Sequence, residues 1–372
     1  MTKKIKPYLR DGVDVYLGSD SDITFVFLST RKRIHIKCHP ILTQTLSLMD
    51  GNNSIEYIQN WIDSQNITDL PESAFIKFLD YLTNHNLVVD KNWFDKLDLP
   101  NDYKLFMTRQ LHFLMDILDS PKKVEEVQTK ISTTKIAIFG TGAIGSWLGQ
   151  ELVMMGFLDF KLFDFDVVKE SDISRHSYFD ITKIDKNKID VFSEYLKSIN
   201  PNIQTIAHNI AINIDVDLEP YLNDVDFIIN TADEPYIGYT SLKLSRYCIV
   251  NNKPLFVAGG FDAHLASIGE LIIPMVTPCA DCYAGYFKKS LANWKPIEHP
   301  TKFRSVAFGG LVSMSVFSAS VSALTILRYF IDSNNVNEIG GRGEFLFENY
   351  NLDTFEVHRD ENCKVCGNQS EL

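Results

Sequence analysis

Cysteine is scarce: six in 372 residues, far too few for a chain held together by disulfides, and a reducing compartment is expected. Positive charge is also in deficit. The 36 Lys and Arg against 48 Asp and Glu leave a formal net charge of -12 and a pI near 5.2, which argues against nucleic acid as a partner. No apolar segment follows the basic start of the chain, so no secretory signal is expected and the cytoplasm is the expected location. Internal repeats and low-complexity tracts are missing as well. One uncharged run, residues 306–327, is about long enough to span a bilayer. It is rich in Ser, Gly and Ala and no aromatic belt frames it, so a buried core or dimer-interface helix is expected and a membrane partner is not. What remains is an ordinary globular composition, 45% hydrophobic and 23% charged, sufficient for one large domain and one small one.

Residues 13–17, 24–28 and 33–37 are β-prone runs separated by turn residues. Helical patterns follow at 41–49 and 54–64, and a third opens at Pro71 and carries Phe75, Phe78, Leu79 and Leu82 at helical spacing. Residues 87–89 would close this unit as a strand. Residues 1–95 therefore read as a small winged-helix-like α+β domain, a shape that says nothing by itself about DNA. Residues 96–134 read as a connecting segment: a helix at 105–117 between polar links at 90–104 and 119–134. From Lys135 the pattern alternates. Strands are expected at 135–139, 160–165, 203–208, 226–230 and 255–258, with helices at 146–155 and 188–199. Residues 135–372 thus predict an α/β domain with a doubly wound, mostly parallel sheet.

The first of those strands runs into Gly140-Thr141-Gly142-Ala143-Ile144-Gly145, a G-x-G-x-x-G that opens a helix. Gly140 allows the tight turn, Gly142 lets a phosphate approach the backbone, and Gly145 lets the helix pack closely. The N–H groups from Ala143 onward would face an anion. Asp164 ends the next strand, 24 residues after Gly140, where a carboxylate can bind both ribose hydroxyls. A dinucleotide enzyme shares this fingerprint. The residues that follow bear on the choice: Asp164-Phe165-Asp166-Val167, then Asp172, Arg175 and His176, then Lys188, then Asp233 after a strand. Two bases and an acid converging at the carboxyl ends of parallel strands suit a triphosphate and its Mg²⁺. Taken singly, Arg175 and Lys188 also read as solvated bases and Asp233 as a helix cap.

Cys279-Ala-Asp-Cys282 and Cys363-Lys-Val-Cys366 are two C-x-x-C pairs flanking the apolar run. Such knuckles make a tetrahedral thiolate site for structural Zn²⁺; an Fe–S cluster or a redox pair is the alternative. Cys38 and Cys248 read as structural.

In this order the motifs resemble the ThiF/MoeB/ubiquitin-activating superfamily, whose pattern is G-x-G-x-x-G, D-x-D-x-V, N-x-x-R-Q, G-x-x-K, a strand-end Asp and paired C-x-x-C. The resemblance implies ATP-dependent adenylation of a carboxylate with release of pyrophosphate. It implies that Arg175 and Lys188 hold phosphates, Asp233 binds Mg²⁺ and Asp164 binds ribose. Thr108-Arg109-Gln110 resembles the family's arginine finger, which crosses to the other subunit of a homodimer. The chain departs from the pattern at four places: Asp172 and His176 stand where it has Asn and Gln, Asp185 where it has the glycine of G-x-x-K, and the arginine usual a few residues after the strand-end Asp is missing, with Tyr236 and Tyr239 nearby. The similarity is closer to the peptide-modifying branch, the microcin C-type and pantocin A-type enzymes. It rests on Asn230-Thr231-Ala232-Asp233-Glu234-Pro235, on Arg246-Tyr247-Cys248 before Asn252-Lys253-Pro254, on Cys363 to Asn368, and on the small N-terminal domain. In that branch the small domain binds the leader of a precursor peptide by strand addition. Residues 283–304, where sulfur-carrier activators have a nucleophilic Cys, contain none, which disfavours thioester or persulfide transfer.

Overall fold

Alternation in the first β-prone region decides which face of its sheet is buried. In β3 (Asp22–Phe27) Ile23, Phe25 and Phe27 point into a core while the residues between them do not. The structure, a computed structural model, describes residues 6–19, 22–176, 178–259, 261–262, 265–293, 310–333 and 341–367. It divides into two compact units, Met1–Glu126 and Val127–Leu372.

In the first unit β1 (Pro7–Leu9) precedes β2 (Val13–Leu17), and β3 and β4 (Arg33–Lys37) follow. Strands β2, β3 and β4 form an antiparallel sheet in that order. The apolar face of that sheet meets α1 (Pro40–Thr45), α2 (Ile55–Asp63) and α3 (Ala74–Asn84) in one cluster that includes Phe25, Ile58, Phe75 and Leu82. Ser54 caps α2 by accepting from the Tyr57 N–H at 3.1 Å. Residues 88–90 form β5 (Val88–Asp90), which pairs with β1 rather than with the three-stranded sheet. Strand β1 is three residues long and opens on proline, too little signal for a period-2 pattern. Two helices follow, α4 (Asn101–Phe106) and α5 (Thr108–Leu118); they divide at Met107, where one helix had been expected. The buried Arg10 guanidinium pairs with Asp116 on α5 and with Asp119 just beyond it.

The polar link expected at 119–134 is instead α6 (Pro121–Thr133). Its Lys and Glu content hides an apolar stripe: Val124, Val127 and Ile131 are all buried.

In the second unit β6 (Lys135–Phe139), α7 (Ala143–Met154), β7 (Asp159–Phe163), α8 (Lys188–Ile199), β8 (Gln204–His208), α9 (Glu219–Leu222), β9 (Phe227–Asn230), α10 (Ile237–Val250) and β10 (Leu255–Val257) build the alternating fold. After them come β11 (Phe261–Asp262), β12 (Leu265–Ser267), β13 (Glu270–Ile272), α11 (Ala280–Ser290), α12 (Val312–Ile331), β14 (Arg342–Leu346) and β15 (Asn351–Phe355). The main sheet has the order β13-β10-β9-β6-β7-β8, parallel except for β13. The chain winds outward from β6 to β8, then returns to β9 on the other side of β6. Ligands bind beyond the carboxyl ends of the strands at such a reversal. Strands β11, β12, β14 and β15 form a second, antiparallel sheet.

Helix α12 carries most of the long apolar run; residues 306–309 lie outside the described set. Among described residues it is the one helix long and apolar enough to cross a membrane, and half of it is buried. Its buried face combines the small residues Ser315, Ser318, Ala319, Ser322 and Ala323 with Met314, Ile326, Leu327 and Phe330. Small side chains permit the close approach to α7, where Ser320 donates to Glu151 at 2.7 Å.

Candidate functional site

Strand β6 ends at Gly140, whose φ of +86° lies in the region glycine favours. A Cβ there would stand 2.8 Å from the Ala232 nitrogen, and one on Gly145 would stand 2.0 Å from the Gly140 carbonyl oxygen. Both glycines therefore serve close packing between the loop and the segment after β9. Gly142 differs: a Cβ there would meet nothing within 4 Å. That open space lies at the N-terminus of α7, where Ala143 begins the helix and no side chain caps its N–H groups. A phosphate fits this cradle.

The loop is tied from both sides. The Asp164 carboxylate accepts from the Thr141 N–H at 2.7 Å, from the Thr141 hydroxyl at 2.8 Å, and from the Asp166 N–H at 2.9 Å. Three of its roughly four lone-pair sites are thus spent on shaping the loop, with one free for a ribose hydroxyl. The Thr231 hydroxyl donates to the Gly140 carbonyl at 2.7 Å. Asn230 holds α10 through Thr240 and Ser241, each at 3.0 Å. Asp233, three residues past β9, is exposed.

The two bases of the pattern meet at one carboxylate. Lys188 begins α8 and is 6% exposed. Its Nζ lies 3.0 Å from Asp166 Oδ2 and 3.3 Å from Asp172 Oδ2. Asp172 is buried, takes the Arg175 guanidinium at 3.1 Å on its other oxygen, and accepts the Lys169 N–H at 3.0 Å. Burial alone would raise the Asp172 carboxyl, but the Lys169 N–H and the Lys188 charge outweigh it and hold its pKa below the usual range. Lys188 follows the same logic: burial works against its charge, and Asp172 and Asp166 hold its pKa up. The Arg175 backbone is fixed by Trp147, whose indole N–H donates to its carbonyl at 3.0 Å. Asp185 has φ +66°, so the backbone there is the left-handed one that suits the pattern's glycine, and Asp tolerates it.

His176 is buried with Nδ1 2.7 Å from the Asp172 carbonyl, while Nε2 has no partner. Burial pushes its pKa down to about 4; Asp172 opposes the shift, and Lys188 and Arg175 add to it. An unfolded imidazole protonates near 6.5, so between that pH and about 4 the unfolded chain binds the extra proton. Stability is expected to fall as pH drops through that window, by up to about 3 kcal/mol. His208 is shifted in the same direction. Comparing wild type with His176→Gln in thermal melts isolates the His176 share: the variant should show a shallower slope between pH 6.5 and 4. Identical slopes would remove His176 from the account.

Arg109 is exposed on α5 in the first unit. The other candidates, Gly140, Gly142, Ala143, Gly145, Asp164, Asp166, Arg175, Lys188 and Asp233, belong to the second unit. Thr141, Trp147 and Tyr178, whose hydroxyl donates to the Thr141 carbonyl at 3.3 Å, were not legible as site residues. Each acts by shape rather than by motif.

The four cysteines come together. Cys279–Cys282, Cys279–Cys363 and Cys282–Cys366 have Sγ separations of 3.8, 3.7 and 3.4 Å, and all four sulfurs lie within 4.8 Å of one another. Tetrahedral Zn–S bonds of about 2.3 Å require sulfurs roughly 3.8 Å apart, so the set fits a zinc ion. Gly367 closes the second knuckle, where a Cβ would stand 2.4 Å from the Cys363 carbonyl. Cys248 is fully buried and burial pushes its thiol pKa up, as expected of a core residue.

The model of the ThiF family matches residues 116–365. Among curated proteins, the Aspergillus niger adenylyltransferase and sulfurtransferase uba4 is 27% identical over 257 residues, 66% of this chain and 50% of that protein. The Schizosaccharomyces pombe NEDD8-activating enzyme E1 catalytic subunit is 24% identical over 169 residues, 44% of this chain and 37% of that one. The chain spans about half the length of the first of these. Among solved structures, Escherichia coli MccB with ATP has a TM-score of 0.71 at 19% identity over 97% of this chain and 99% of its own. PaaA has a TM-score of 0.71 at 19% identity over 94% and 100%. At that identity the likeness is one of fold, and it extends over nearly the whole chain.

Proposed function

Since the chain belongs to the ThiF family, we propose that it is an ATP-dependent adenylating enzyme that activates a carboxyl group of a ribosomally made precursor peptide. The observation that carries this reading is the open glycine cradle at the strand-order reversal, with Arg175, Lys188 and an exposed Asp233 in the segments beside it. In this reading the α7 N-terminus, Arg175 and Lys188 receive the phosphates and Asp164 holds the ribose. Asp233 would hold Mg²⁺, which supplies charge neutralisation for the polyphosphate. The peptide carboxylate attacks the α-phosphorus, the bond to the β-phosphate breaks and pyrophosphate leaves. The protein's part is positioning and fixed charge. The acyl adenylate is then captured by a nitrogen: attack of an amide nitrogen on the phosphorus expels the carboxylate and leaves a peptide–nucleotide bond, whereas attack of the peptide's own backbone on the acyl carbon expels AMP and closes a glutamate-derived ring.

The peptide reading is supported by the likeness to MccB and PaaA over the small first unit as well as the second; one of the MccB structures is a complex with N-formylated MccA. Among the described residues, strand β4 is an edge of the first sheet with no strand on its outer side, and it exposes Arg33, His35 and Lys37, a surface for strand addition. A sulfur-carrier role like that named for uba4 is disfavoured because residues 283–304 contain no Cys. A non-catalytic delivery role is disfavoured by retention of Arg109, Arg175, Lys188 and Asp233.

The test is peptide-dependent pyrophosphate release from ATP, using short peptides encoded beside the gene. Arg109→Ala and Asp233→Asn should each lose roughly 10²-fold. If Arg109 acts across a homodimer, mixing the two variants should recover up to about a quarter of wild-type activity, because a mixed dimer keeps one intact site. Wild type that releases no pyrophosphate with any such peptide would remove the catalytic reading.

A further inference from the structure

Both bases of the triphosphate site are already engaged by protein carboxylates. Lys188 lies between Asp166 and Asp172, and Arg175 spans to the other oxygen of Asp172. Arg175, Lys188, Asp164, Asp166 and Asp172 set two cations against three carboxylates, before the exposed Asp233 is counted. Asp172 differs from the other acids in two ways. It is 2% exposed, so water does not screen it, and it touches both bases at once. It also stands where the superfamily pattern has a neutral Asn.

We propose that Asp172 is a built-in competitor of the nucleotide's phosphates. It weakens the hold of Arg175 and Lys188 on a polyphosphate, and so makes binding depend on a divalent cation to discharge the ligand. The inference rests on the nucleotide reading above. Asp172 acts through the two bases and is a positioning residue, not a catalytic one. The charge is what matters, because its structural bond, accepting the Lys169 N–H at 3.0 Å, is one that an Asn oxygen can also make.

The variant Asp172→Asn removes the charge and keeps that bond, and Asp172→Ser serves as a second, smaller neutral residue should Asn disturb folding. Calorimetric titration of the full chain with ATP, AMP and adenosine, at high and low Mg²⁺, reads the effect. ATP affinity should tighten about tenfold in the variant, AMP affinity less, and adenosine affinity not at all. The loss of ATP affinity on lowering Mg²⁺ should be smaller than in wild type. A purely structural role for Asp172 would move all three ligands together, and that result overturns the proposal. So does ATP binding that is unchanged or weaker in both variants while wild type binds it. If neither wild type nor variants bind ATP, the nucleotide reading falls as well, which separates the two failures.

Discussion

If the cysteine cluster holds a zinc ion, as its geometry allows, removal of that ion is expected to unfold the second unit. The argument is one of scale. Four thiolate ligands on zinc contribute about 10 kcal/mol or more to the folding of small zinc domains, while a whole domain is stable by only about 5–15 kcal/mol. Here the cluster is part of a core: Cys279, Cys282 and Cys366 pack with Leu244, Cys248, Leu255 and Ile272. Burial pushes the Cys279 and Cys282 thiols up, so without metal the site would leave buried, weakly bonded sulfur in its place. Elemental analysis should give about one zinc per chain. Cys366→Ala should lose it and lose cooperative thermal unfolding, and a strong chelator should do the same to wild type. A wild-type protein that is metal-free and melts cooperatively would sink this account.

The second large effect belongs to Lys188. Replacing it by Met leaves Asp166 and Asp172 facing each other without their shared cation. Breaking a buried ion pair on one side costs about 3–5 kcal/mol, and a unit of this size should melt roughly 6–20 °C lower. Pyrophosphate release should fall by roughly 10²–10³-fold, the scale of one fixed charge lost from a transition state. The two losses are separable. Adding Asp172→Asn to Lys188→Met removes the stranded buried charge and should recover part of the melting temperature but none of the activity. Recovery of both would mean that Lys188 serves only the fold.

How much of this was legible differs from element to element. The glycine loop was, because its requirements are local: a tight turn, a close approach and a helix start. The paired C-x-x-C motifs were, because each knuckle is a short-range object; that the two pairs meet required the fold, since 84 residues separate Cys279 from Cys363. Helix α6 was hidden by composition, its buried Val124, Val127 and Ile131 diluted among Lys and Glu. Strand β1 was too short to show a period and exists because β5 offers it a partner.

Residue type and spacing were enough to read the α/β class, the strand–loop–helix at Gly140, and the order of Asp164, Arg175, Lys188 and Asp233. Those features depend on residue type and spacing within a few turns of chain. Which charge neutralises which follows from the folded arrangement alone. Asp172 reads as a simple substitution for Asn until the loop after β7 and the start of α8 are brought together by the bonds from Val168 N–H to the Lys186 carbonyl at 2.8 Å and from Lys188 N–H to the Asp166 carbonyl at 2.9 Å. Coulombic pairing depends on separation and on burial, and neither is encoded at one position. The same holds for Gly142 against Gly145: identical residues, one facing open space and one pressed on a carbonyl, distinguished only by what the rest of the chain places beside them.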